Sequence, residues 1–74
     1  MATYEQARRA MPYAEEYLRD NGAQAKVRIQ GRNDGDQSLI ADVTAGIEHL
    51  PLYVRLRDVT VWVQPSRDAV DASS

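Results

Sequence analysis

The chain has no cysteine. Disulfide staples and thiolate metal sites are therefore excluded, which fits a reducing compartment. Histidine is nearly absent too: His49 stands alone, and metal centres and acid–base dyads need partners of the right kind beside it. No apolar run approaches the ~20 residues that span a bilayer as a helix, and the start, Met1-Ala-Thr-Tyr-Glu5, lacks the basic and apolar regions of a signal peptide. The expectation is a cytoplasmic protein with no membrane association. Positive charge is not in excess either. Nine Lys and Arg against eleven Asp and Glu give a formal net charge of -2, which argues against retention on nucleic acid by bulk charge but leaves local patches open. No glycine-rich phosphate cradle follows a strand, and no Ser-His-Asp set can be assembled. The chain reads as a non-enzyme without a cofactor.

Seventy-four residues make one domain with one small core. Such a core supplies only a few kcal/mol net, roughly, so dimerisation or partner binding would add useful burial. Residues 1–64 read as the domain and 65–74, poor in apolar side chains, as a flexible tail.

What is present is orderly. Thr3 followed by Gln6 has the form of a capping box, and Tyr4, Ala7, Met11, Ala14 and Leu18 fall at spacings of three and four, one stripe along a helix. Pro12 interrupts that helix or begins a second one as its first residue. Because the stripe keeps phase, a continuous, kinked helix is preferred, ended by Asn21-Gly22 in a left-handed cap.

Strand patterning follows. Ala25, Val27 and Ile29 alternate with Gln24, Lys26, Arg28 and Gln30. Arg32-Asn-Asp-Gly-Asp36 is loop chemistry, far too short for a parallel crossover. Leu39, Ala41 and Val43 continue the apolar face on a second strand. That register sets Lys26 opposite Asp42 and Arg28 opposite Ile40. A helical turn is expected near Ile47–Leu50.

The longest β-branched run, Leu50–Gln64, contains two alternations out of phase: Leu52, Val54, Leu56 and then Val59, Val61, Val63. Either a β-bulge at Arg57-Asp58 bends one long strand, or those two residues form a tight hairpin loop. Tight loops favour Asn-Gly or Asp-Gly, so the bulge is preferred. The expected architecture is α+β: one N-terminal helix packed on an antiparallel sheet of three strands, or four if Arg57-Asp58 is a hairpin.

The candidate site is the sheet face turned away from the helix. By parity it carries Lys26, Arg28, Ile40, Tyr53, Arg55 and Trp62, with Gln24 and Thr60 beside them. Aromatics next to arginine compose interaction hot spots and also base-stacking platforms. The preferred function is a small interaction or regulatory module that binds a protein partner, or itself as a homodimer, through the sheet face or a strand edge. The alternative is a nucleic-acid-binding module using the same face, made less favourable by Asp42 opposite Lys26 and by the absence of basic runs. His49 reads as an ordinary loop residue. Asp34-Gly-Asp36 hints at calcium but lacks the distal Glu of an EF-hand loop, so it reads as a solvated turn.

The helix stripe generates a stability test. Leu18→Ala is expected to cost about 2–5 kcal/mol, as large-to-small core changes do, and Arg9→Ala under ~0.5. Denaturant melts that placed the two variants level would mean the buried face of the helix is misassigned.

Overall fold

The computed structural model describes residues 2–31 and 35–67. Helix α1 runs Tyr4–Asp20 without interruption through Pro12. Its start is the expected capping box: the Gln6 amide donates to Thr3 Oγ1 at 3.1 Å and the Thr3 amide to Gln6 Oε1 at 2.8 Å. Its end is a Schellman cap, with the Ala23 amide donating to Leu18 O at 2.9 Å and the Gly22 amide to Arg19 O at 3.0 Å. Gly22 takes the positive φ that this cap requires.

Four strands follow, β1 Gln24–Gln30, β2 Ser38–Ala45, β3 Tyr53–Leu56 and β4 Val59–Pro65, with a 3₁₀ turn at Ile47–His49. The β1–β2 register is the expected one, Val27 facing Ala41 and Lys26 facing Asp42. The sheet order is β1-β2-β4-β3. β4 is inserted between β2 and β3 and pairs with β2 in parallel, so the sheet is mixed rather than wholly antiparallel. The reason is directional. β2 to β3 reverses the chain and β3 to β4 reverses it again, so a β4 lying beside β2 must run the same way. Residues 46–58 between the two partners supply the dozen or so residues that a parallel connection needs.

The parity break at Arg57-Asp58 is a hairpin, not the preferred bulge: Leu56 faces Val59, Arg55 faces Thr60 and Tyr53 faces Trp62. Of the two loop residues only Arg57 has positive φ, at 55°. Type II′ turns place that conformation at the first loop position, usually with glycine. A non-glycine residue in the left-handed region costs about 1–2 kcal/mol, which is why Arg-Asp reads poorly as a tight turn.

The core lies between α1 and the two central strands. Ala7, Ala14 and Leu18 meet Leu39, Ala41, Val43, Val59 and Val61, with Ala2 and Ala23 closing the ends. Ala2 is held by its amide on the Asp36 carboxylate and its carbonyl on the Gln37 amide. On the edge strands, Val27, Ile29, Val54 and Leu56 are only half-buried. α1 lies chiefly against β1, at the opposite edge from β3. Two stripe assignments fail accordingly. Leu52, expected on the buried face, precedes the distant edge strand and is 83 % exposed, and Tyr4 in the first helical turn is 60 % exposed. β4 extends through Pro65, and the buried Ser66 donates its amide to Val43 O at 2.7 Å. The rest of the expected tail, 68–74, lies outside the described residues.

Gly46 controls the exit from β2. Its φ is 82°, and a Cβ there would collide with the Gly22 carbonyl oxygen and come within 2.9 Å of Ala23 Cα. Both neighbours are backbone and cannot swing aside. Gly46→Ala is therefore expected to lower stability by at least ~2 kcal/mol, the left-handed strain plus the clash. Equal denaturant midpoints for wild type and variant would show that the 22–46 contact is not fixed.

Candidate functional site

The face of the sheet opposite α1 is ordered in rows across the strands. In the middle row Arg28 lies beside Ile40, Ile40 beside Trp62 and Trp62 beside Tyr53. At ~4.8 Å per strand spacing this row spans about 14 Å. It begins on a cation and ends on two aromatic rings. Tyr53 and Trp62, at 55 % and 49 % exposure, tilt against one another at 46° with centroids 5.5 Å apart. That geometry is a favourable aromatic pair, and it forms because the hairpin brings the rings together. The preferred bulge would have set them ~30 Å apart along one strand.

The flanking rows are polar. On one side Lys26, Asp42 and Gln64 align across β1, β2 and β4. On the other, Thr60 and Arg55 align across β4 and β3. Asp42 is the junction. It accepts from Arg28 Nε at 2.8 Å on Oδ2 and from Gln64 Nε2 at 2.7 Å on Oδ1. The expected Lys26–Asp42 facing pair is present as register, but the ion pair goes diagonally to Arg28. Arginine presents several donors in a rigid fork and holds a carboxylate more specifically than lysine does. The hydrogen bond from Arg28, then that from Gln64, hold the Asp42 carboxyl below the usual carboxylate range. Arg55 lies along the turn, its Nε 3.4 Å from Arg57 O and its guanidinium 3.4 Å from Thr60 Oγ1.

Five of the six expected site residues, Lys26, Arg28, Tyr53, Arg55 and Trp62, are exposed on this face. Ile40 shares the face but is 7 % exposed, lying between the larger Arg28 and Trp62 on the neighbouring strands. It supports the row from beneath. Asp42 and Gln64 tie three strands together and stand outside the six expected site residues. The Lys26–Asp42 register was legible, but Gln64 on β4 enters only through the parallel pairing.

Other candidates stand apart. His49 is exposed, its Nε2 3.6 Å from the Glu48 carboxylate. Asp36 holds the Ala2 amide, and Asp34 lies outside the described residues. Among the described residues no three His, Asp or Glu side chains gather as a metal site, and no helix is long and apolar enough to cross a membrane. No protein-family model matches the chain, and no curated protein or solved structure matches it. The fold and site define an α+β domain with an aromatic, cation-bordered sheet face.

The Asp42 junction carries a pH signature. A carboxyl whose folded pKa is depressed stabilises the fold above its unfolded pKa, and that contribution is lost as pH falls through the folded value. Asp42→Asn is expected to lower stability near neutrality by up to ~1 kcal/mol, the scale of a partly exposed ion pair, and to flatten the stability profile below the ordinary value of 3.8. Urea melts between pH 2 and 7 check it. Parallel profiles for wild type and variant would refute the assignment.

Proposed function

We propose that this chain is a non-enzymatic interaction module, of the kind used in regulation, that docks a protein partner on the open face of its sheet. The observation that carries the reading is the Arg28–Ile40–Trp62–Tyr53 row. Two half-exposed aromatic rings on a rigid sheet are costly to leave wet and supply contact area with little side-chain entropy to lose. Arginine and aromatic residues are also the types that dominate binding hot spots.

Charge selects the partner's chemistry. The face carries Lys26, Arg28 and Arg55 against Asp42 alone, in a chain whose formal net charge is -2. Its complement is an apolar protein surface bordered by carboxylates. Pairing two copies face to face would set the cations against each other, which disfavours a homodimer through this face. Arg28 is already committed to Asp42, leaving few free cations for a nucleic-acid backbone.

The test uses tagged wild-type protein and the Tyr53→Ala/Trp62→Ala double variant as bait in an extract of the native cell. The variant is expected to fold cooperatively and to bind the captured protein more weakly by at least ~2 kcal/mol, about 30-fold. Affinity should fall only modestly between low and high salt, through the rim charges. Capture of nucleic acid with a steep salt dependence would favour the nucleic-acid alternative, and equal partner binding by both baits would refute a sheet-face site.

A further inference from the structure

A second concavity lies on the helix side of the sheet, away from the aromatic row. Between the first half of α1 and the β3–β4 turn the structure leaves a groove of about 470 Å³, within the ~300–1,000 Å³ of small-molecule sites. Its apolar lining is Ala10 and Tyr13 from the helix and Leu56 and Val59 from the hairpin. It is open for a reason visible in the sequence. α1 lies chiefly against β1, its inward residues here are the small Ala7 and Ala10, and no phenylalanine is available anywhere in the chain to fill the space over β3.

The mouth of the groove is positive. Arg9, Arg55 and Arg57 border it against the single carboxylate of Asp58. Arg9 is shared with Glu5 at 2.9 Å in an exposed pair, which competes weakly for it. Arg57 has no ion-pair or hydrogen-bond partner for its guanidinium among the described residues. It also occupies the left-handed loop position, φ 55°, where glycine would be more stable. An apolar floor beneath a positive mouth, with the Arg57 guanidinium unpaired among the described residues, complements one ligand chemistry. We propose that this groove binds a small amphipathic carboxylate, its apolar body on Ala10, Tyr13, Leu56 and Val59 and its acid group toward Arg57 and Arg9. The site stands independently of the sheet-face reading.

Three probes share an apolar body and differ in the headgroup: 4-phenylbutyrate, 4-phenylbutanol and 4-phenylbutylamine. Titrated into the ¹⁵N-labelled protein, the carboxylate is expected to bind at least ~5-fold tighter than the amine, since hydrogen bonds to charged groups are the stronger kind, with the alcohol between them. Amide shifts should centre on Ala10, Tyr13, Leu56 and Val59. Arg57→Gly should raise the melting temperature yet weaken phenylbutyrate binding at least ~5-fold, a pairing that misfolding cannot mimic. Ala10→Leu should fill the groove and abolish binding of all three probes, while Tyr53→Ala/Trp62→Ala should leave phenylbutyrate affinity unchanged. Equal affinity for the three headgroups, shifts centred on Tyr53 and Trp62, or no shifts at all would each overturn the groove as a carboxylate site.

Discussion

The parallel pairing of β4 with β2 is the constraint on which the rest of the molecule depends. It makes β2 and β4 the central strands and gives Leu39, Ala41, Val43, Val59 and Val61 their burial. It also sets Trp62 beside Ile40 and Gln64 beside Asp42. Without that register the aromatic row would end at β2 and Asp42 would lose one of its two hydrogen-bond donors. The pairing continues past the strands proper through the Ser66 amide on Val43 O. The cost is a connection that must step over β4's position and return, and it is met by Gly46 at positive φ, the 3₁₀ turn and the strained Arg57 hairpin.

The core assembled around this pair is short of volume. Five of its ten members are alanine, and the largest fully buried side chains are Leu39, Val43 and Val61. Most of the large apolar side chains lie outside: Tyr4, Tyr13, Leu52, Tyr53 and Trp62 are exposed, and only Tyr17 of the tyrosines packs against the core. Alanine lets α1 approach the sheet closely, but each contributes little area, and burial scales at about 25 cal/mol per Å². A domain of this size is marginal on its own core. Covering the exposed rings would then stabilise the fold and the complex together, by mass action.

Periodicity made most of the elements legible. The helix stripe, the Thr3–Gln6 box, the β1–β2 register and the far-face parity of Tyr53, Arg55 and Trp62 are all local, and local rules govern them. Strand order was not legible, because alternation says which way a side chain points and nothing about which strand lies beside which. A signal existed nonetheless. β3 is four residues long and charged, as edge strands often are, whereas β4 is longer and carries three valines. The bulge preference failed because turn propensity at Arg57-Asp58 weighed against a hairpin, and tertiary pairing overrode it. Leu52 and Tyr4 obeyed the period but had no partner surface above them, which period alone cannot reveal.

Charge separates the two candidate surfaces from the rest of the molecule. Helix α1 carries Glu5, Glu15, Glu16 and Asp20 against Arg8, Arg9 and Arg19, while the strands contribute Lys26, Arg28 and Arg55 against Asp42. A chain that is acidic overall is therefore basic where it is flattest and most aromatic. Such a distribution would favour the approach of an acidic partner to the sheet face. Arg55 sits where the two surfaces meet, its side chain against Thr60 and the Arg57 carbonyl, so an anion at the turn and a carboxylate on a docked protein would draw on the same guanidinium. Were both proposed sites filled, each ligand would weaken the other through that shared charge, and by linkage the effect would be reciprocal.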